Sequence, residues 1–277
     1  MVKCWFDYST VIVTGASSGL GRDITMRLIK DHNCRVIGIA RSRDKLESLK
    51  QELGEKEYLF SYKTFDVSLR EKWDELATEL NNEGTQIDML INNAGILPRF
   101  DKFYNYTVED FDKAMQINFY SAVYSMKALM DNVLCSEKAA IVNVASSAAL
   151  CSLAGTGAYS ASKAALKSFT DAVREEHRGE CYVGLICPGF TKTDIFRSQK
   201  KSDSTSQKMM DMVSTDCDKM VDMIMDGIWK KKEDMVFGMD AHLMHIGNKM
   251  LGTLCCNLSS KVMKLSKLEI FKDVFEK

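Results

Sequence analysis

Thr14-Gly15-Ala16-Ser17-Ser18-Gly19-Leu20-Gly21 follows a short β-rich run, residues 10–14, and opens a helical pattern over 19–32 in which Leu20, Ile24, Leu28 and Ile29 share one side. A strand that turns sharply into a helix needs backbone freedom at the turn. A phosphate that approaches the backbone needs the absence of a side chain. Gly15 permits the turn, Gly19 the approach, and Gly21 the close packing of helix on sheet. Ser17, Ser18 and Leu20 complete the loop, and the first N–H groups of the helix present donors and a partial positive charge to a pyrophosphate. The spacing is G-x-x-x-G-x-G, which also fits a tight turn with no ligand, so the loop alone leaves both readings open.

Outward from this loop the chain alternates strand and helix. Strands are predicted at 36–40, 58–65, 87–91, 139–145, 182–187 and 235–238, and helices at 43–53, 68–82, 108–134 (one or two), 157–178 and 217–232. This order predicts the α/β class, a doubly wound parallel sheet with helices on both faces. No break in composition marks a second domain. The expected organisation is a dinucleotide-binding and catalytic domain over 1–240, with 241–277 as a helical extension of the same domain. Residues 197–208 are polar and suit a mobile surface segment.

The end of the second strand bears on the nucleotide. It runs Gly38-Ile39-Ala40-Arg41-Ser42-Arg43 and has no acidic residue to hold ribose hydroxyls. Ala40 leaves room there, and Arg41 supplies a guanidinium fork suited to a 2′-phosphate, which favours NADP(H) over NAD(H). The plain alternative is that Arg41 and Arg43 are solvated charges opening a helix.

Tyr159-Ser160-Ala161-Ser162-Lys163 lies at the start of a predicted helix, so Tyr159 and Lys163 share a face. An ammonium close to a phenol favours the phenolate and lowers a pKa of about 10. Such a tyrosine can exchange a proton with an alcohol or carbonyl oxygen near neutral pH. Ser146 follows the strand 141–145, at the end of a parallel strand where this architecture binds ligands. Its hydroxyl can hold a substrate oxygen. Ser147 competes for that role, and Ser146 could instead be an N-cap or turn residue.

The motifs 14–21, Asn92-Asn93-Ala94-Gly95, Asn118, Ser146, Tyr159 with Lys163, and Pro188-Gly189 stand in the order and approximate spacing found in the short-chain dehydrogenase/reductases, which residues 8–195 resemble. The resemblance implies a Rossmann-like fold and an NAD(P)(H) cofactor. It implies that Tyr159 is the acid/base, that Lys163 lowers its pKa and holds the nicotinamide ribose, that Ser146 positions the carbonyl, and that Asn118 anchors a proton-relay water. By the same resemblance Asp66 and Val67 flank the adenine. Asn93, Ala94 and Gly95 support sheet and ribose, and Pro188, Gly189 and Thr193 meet the nicotinamide end. Two departures bear on substrate: residues 151–157 lack a proline often found there, and Asn118 is followed by Phe119-Tyr120 rather than a small residue.

Of 277 residues, 37 are Lys or Arg and 38 Asp or Glu, a balance that gives no reason to expect nucleic acid as a partner. Residues 1–10 hold no apolar run of signal-peptide type, and no window reaches the ~20 apolar residues of a spanning helix. The nine cysteines are therefore expected as reduced thiols of a cytoplasmic protein. His242, His245 and Cys255-Cys256 lack the rest of a metal-binding pattern, so no metal is expected. Ten of the seventeen methionines fall late, from Met209 through Met250; they fit either ordinary helix core or a plastic lid over a lipophilic substrate.

The tail interleaves Val262, Leu265, Leu268, Phe271 and Val274 with Lys261, Lys264, Lys267 and Lys272. It suits peripheral docking on a membrane surface or packing on its own subunit or a twin. The spread of the lysines over more than one face favours packing. The helices at 118–134 and 157–178 carry apolar residues on more than one side, which predicts a homo-oligomer, or else a monomer whose extra face the tail covers.

The expected function is an oxidoreductase passing a hydride between NADP(H) and a carbonyl or secondary alcohol of a small-molecule substrate. A lipophilic one, such as a hydroxysteroid or acyl ketone, suits the apolar region after Pro188. The competing reading is a non-catalytic dinucleotide-binding regulator. An epimerase or dehydratase using the same Tyr and Lys would need more substrate-binding sequence than follows residue 194.

Overall fold

The computed structural model of the chain describes residues 4–192, 214–266 and 271–275. Seven parallel strands form one sheet in the order β3-β2-β1-β4-β5-β6-β7. They are β1 (Thr10–Thr14), β2 (Arg35–Ala40), β3 (Phe60–Thr64), β4 (Met89–Asn92), β5 (Ala140–Val144), β6 (Tyr182–Pro188) and β7 (Asp234–Phe237). The order reverses between β1 and β4, and the carboxyl ends of those two strands open the crevice in which such a sheet binds its ligand. The doubly wound α/β prediction is met.

The two-residue period of β1 divides the core. Val11 and Val13 face α1 (Gly19–Lys30), α2 (Arg43–Glu52) and α7 (Cys217–Trp229), packing with Ile24, Leu28, Leu46 and Ile224. Ile12 points the other way, toward α3 (Arg70–Asn82) and α5 (Ser121–Leu134), where Trp73, Leu76, Leu80 and Leu129 are buried. Each such side chain contributes about 1.5–3 kcal/mol relative to exposure. Trp73 also donates its indole N–H to the Val67 carbonyl at 2.9 Å, which fixes the turn after β3.

The expected helix over 108–134 divides in two. A capping box between Thr107 and Asp110 starts α4 (Val108–Met115), and a wide π turn at Gln116–Tyr120 separates it from α5. The third strand begins at Phe60 rather than 58, because a 3₁₀ turn at Gly54–Leu59 precedes it and leaves Tyr58 exposed. Between the two central strands runs a buried polar chain. Ser125 Oγ donates to Asn92 Oδ1 (2.7 Å), Asn92 Nδ2 to Asn143 Oδ1 (2.9 Å), and Asn143 Nδ2 to Thr170 Oγ1 (2.9 Å). It ties β4 and β5 to α5 and to α6 (Gly157–Glu176).

After β7 come α8 (Met239–Leu251), α9 (Thr253–Ser266) and the short α10 (Lys272–Phe275). Gly252, at φ +54°, makes the bend between α8 and α9. Ala241, Met244, Cys255, Met263 and Phe271 turn inward. Met263 and Phe271 pack with Leu97 and Phe100, and Met244 and Cys255 with Cys151; neither group of described residues includes one from α5. The expected tail stripe is corrected in part here: Phe271 is buried and Val274 packs with it, but on α9 the buried residue is Met263, while Val262 and Leu265 face outward, and Leu268 lies outside the described residues. The segment 197–208 and Met209, Met210 and Met212 also lie outside them. Among the described residues no helix is long and apolar enough to cross a membrane.

Candidate active site

The β1–α1 loop places its glycines as the sequence predicts. Gly15 and Gly19 hold positive φ (+69° and +53°), and a Cβ on Gly21 would collide with the Asn93 side chain. Asn93 holds this loop from β4: its Nδ2 donates to the Thr14 carbonyl at 2.9 Å, and the N–H groups of Asn93 and Ala94 both donate to Thr14 Oγ1 at 2.9 Å. Ser18 precedes α1 in extended conformation and makes no side-chain cap, so the first N–H groups of the helix face the cleft. A dinucleotide pyrophosphate fits this cradle of bare backbone and donors.

A cleft of about 600 Å³ runs from the cradle across the carboxyl ends of the strands. Gly15, Ser18, Gly19, Leu20 and Arg41 line one end; Asn93, Ala94, Gly95, Pro188 and Gly189 line the middle; Ser146, Tyr159 and Lys163 line the wall beyond. Ser17, Gly21, Ser42, Asp66, Val67 and Asn118 do not line it. Gly21 and Val67 are packing positions, and Ser42 precedes α2 without capping it. Asp66 stands 3.8 Å from the exposed Arg41 guanidinium. Burial raises its carboxyl pKa, but the Ser68 N–H and hydroxyl and then Arg41 outweigh that and hold it below the usual value. Thr193 lies outside the described residues.

Tyr159 sits in the first turn of α6 and Lys163 one turn later, buried, with Nζ donating to the Val144 carbonyl at 2.8 Å. Ser146 does double duty: its Oγ accepts the Ala148 N–H at 3.2 Å, capping a 3₁₀ turn, and it stands in the cleft wall beside Tyr159. Its hydroxyl proton is left as a donor, within reach of the Tyr159 oxygen or of a ligand between them. Asn118 lies in the π turn, behind the wall. Its Oδ1 accepts the Ile96 N–H (2.7 Å), and its Nδ2 donates to the Ile96 carbonyl (3.0 Å) and to Ser162 Oγ (2.9 Å). It therefore clamps the β4 exit to α6, one residue from Lys163.

Residues 9–204 match the family model of the short chain dehydrogenases. The chain belongs to the short-chain dehydrogenase/reductase family. It is 32% identical over 169 residues to an NADP-dependent 3-hydroxy acid dehydrogenase of Escherichia coli, a match that covers 61% of this chain and 66%, just under two thirds, of that protein. It is 31% identical over 189 residues to an NADPH-dependent pterin aldehyde reductase of Arabidopsis thaliana, covering 68% of this chain and 75% of the relative. A serine dehydrogenase in its closed form with NADP+ superposes with a TM-score of 0.70 at 27% identity, over 78% of this chain and 87% of that one. A short-chain dehydrogenase of Streptomyces avermitilis shares the fold over 94% of this chain and 98% of its own, at a TM-score of 0.75 and 23% identity.

Several residues of this reductase-family site carried no sequence signal. Leu97, Phe100 and Leu153 give the far end of the cleft apolar walls, and Arg99 stands at its rim with Asp101 at 3.4 Å. Asp240, at the start of α8, backs the Pro188-Gly189 loop. It accepts the Phe190 N–H at 2.8 Å, its carboxyl pKa is raised by burial, and a Cβ on Gly189 would collide with it. Cys151 lies 3.7 Å from Cys255 and 3.6 Å from Cys256, thiol contacts that seat α9 against the loop after β5.

Within the chain itself burial governs the two titrating groups of the wall. It pushes the Tyr159 phenol above its ordinary value, against a smaller opposite pull from the Ser146 side chain. It brings Lys163 down to about 8. Acidification of Tyr159 by Lys163, expected from their shared face, is not among the causes acting on the phenol. The Lys163 value has a thermodynamic signature. Below pH 8 the lysine is charged in both native and unfolded states, and the native state carries the cost of burying the charge. Between about pH 8 and pH 10 the unfolded chain binds more protons, so rising pH stabilises the native state. Urea unfolding of wild type and Lys163→Met across this range should show the difference between them shifting in favour of wild type as pH rises. A difference that stays constant would contradict a lysine held at depressed pKa.

Proposed function

We propose that this chain is an NADP(H)-dependent oxidoreductase that interconverts a carbonyl and a secondary alcohol. One observation carries the reading: Tyr159 and Ser146 converge on a cleft whose opposite end is a phosphate cradle with Arg41 at its rim. The dinucleotide, when bound, supplies or accepts the hydride and in its oxidised form brings a positive charge beside the phenol. The rest is done by the chain. The Ser146 hydroxyl, beside Tyr159 in the cleft wall, donates to the substrate oxygen. Tyr159 donates its proton to that oxygen in reduction and takes it back in oxidation. Lys163 supplies the second charge and a donor to the nicotinamide ribose. Asn118 has committed both amide hydrogens, so a relay water takes its place at one of the oxygens of that residue.

Ala40, buried at the end of β2, and Arg41 beside it support NADP(H) over NAD(H), as do the names of the relatives. The apolar walls of Leu97, Phe100 and Leu153 favour a lipophilic carbonyl compound. A non-catalytic regulator has no use for Tyr159, Ser146 and Lys163 in one wall, which weighs against that alternative. We take the protein to be cytoplasmic and a homo-oligomer. Tyr120 is exposed and stacks on Tyr124 with centroids 5.9 Å apart, and Phe119 packs edge-on to Phe169 at 5.8 Å, giving the π turn, α5 and α6 an aromatic outer face suited to a twin. Light scattering at low micromolar concentration should report more than one chain; the single-chain mass of 31.2 kDa would contradict it.

Tyr159→Phe should retain NADPH binding and lose turnover of a ketone or aldehyde by on the order of 10²–10⁴, the contribution of a positioned proton donor. Near wild-type turnover would contradict the mechanism. Arg41→Ala should lower the ratio of NADPH to NADH efficiency roughly tenfold or more, since charge-assisted bonds to phosphate are worth about 1.5–3 kcal/mol. An unchanged ratio, or a wild type that prefers NADH, would overturn the cofactor assignment.

A further inference from the structure

We infer that the outer face of α8 and α9 docks on an anionic phospholipid bilayer. On α8, Met239, Leu243, Ile246 and Met250 fall on one helical stripe; on α9, Leu254, Leu258, Val262 and Leu265 do the same, with Leu251 at the junction. These nine side chains are each between 45% and 81% exposed. They make up more than half of the large apolar side chains exposed among the described residues. The opposite stripe is already used, with Ala241, Met244, Cys255 and Met263 buried against the body. Among the described residues, folding on the subunit uses that inner stripe and leaves the outer one open. Contiguous apolar surface on this scale marks an interaction site.

Charge selects the occupant. The chain as a whole is balanced, at a formal net charge of −1. Residues 241–266 contain no Asp or Glu, while Lys249, Lys261 and Lys264 stand exposed around the apolar stripes. A second copy docking this face on itself would bring lysines against lysines, because a two-fold contact uses the same patch twice. An anionic bilayer meets both features. The apolar stripes enter the headgroup–acyl boundary, and the lysine stems extend so that their ammonium groups reach lipid phosphates. Neither helix spans, and the docking is interfacial. The inner side of α9 is continuous with the cleft: Met263, joined by Phe271 just before α10, packs on Leu97 and Phe100, which line its far end. The docked face is thus the back of the substrate-side wall.

The test uses the full chain and its sedimentation with vesicles, a readout independent of turnover. Vesicles of phosphatidylcholine mixed in equal parts with phosphatidylglycerol should carry the protein down; vesicles of phosphatidylcholine alone should carry far less. Leu243→Glu with Leu258→Glu should abolish binding. Lys249→Gln, Lys261→Gln and Lys264→Gln together should lower the partition coefficient on the anionic vesicles by on the order of a hundredfold. Both variants alter exposed side chains, and circular dichroism with a melting curve checks that the fold is kept. Protein left in the supernatant with anionic vesicles would overturn the proposal, as would variants that bind like wild type. So would an oligomer by light scattering that Leu243→Glu with Leu258→Glu reduces to a single chain, since this face would then join two copies.

Discussion

The clasp of Asn93 on Thr14 is the contact on which the cleft depends. One amide group bonds the Thr14 carbonyl, two main-chain N–H groups share the Thr14 hydroxyl, and the same side chain occupies the space that a Cβ on Gly15 or Gly21 would need. The glycine loop is thereby fixed to the exit of β4 at the point where strand order reverses. Three residues further on, Ile96 is gripped by Asn118, which also reaches Ser162 on α6. Phosphate cradle and proton-transfer wall are thus two ends of one hydrogen-bonded frame. Their separation is set by short side chains pinned to main-chain groups.

That frame explains why the buried polar groups are tolerated. Asn92, Asn143, Ser125 and Thr170 pair with one another in the sheet and its helices, so little desolvation cost is left uncompensated. Lys163 is the expensive exception. One carbonyl bond does not offset the burial of an ammonium, and its pKa falls to about 8 accordingly. Burial makes both charged forms, the ammonium and the phenolate, costlier here than in water, and the charges of a bound dinucleotide shift that balance.

Much of this was legible in the sequence. Strands β1, β2, β5 and β6 are short apolar runs buried on both faces, and glycines 15, 19 and 21 announce the loop between β1 and α1. What escaped was set by tertiary contact. The π turn at Gln116–Tyr120 leaves the apolar pattern on either side unbroken, so periodicity cannot see it. Asn143 reads as a polar interruption in a strand until Asn92 and Thr170 are placed beside it. Asp240 is a lone carboxylate after a strand, and its role behind Gly189 exists only once β6 and β7 are paired. In the tail, two apolar stripes on each helix blur into one pattern; only packing separates the inward Met263 from the outward Val262 and Leu265.

The most direct test of the account is the fate of a hydride. NADPH carrying deuterium at nicotinamide C4 would be incubated with the protein and a panel of lipophilic ketones and aldehydes, and the alcohols examined by mass spectrometry. The account predicts an alcohol bearing deuterium on its carbinol carbon when the transferred C4 position is the labelled one. NADPH that binds and is never oxidised, or an alcohol whose carbinol hydrogen comes from water with either label, would contradict it.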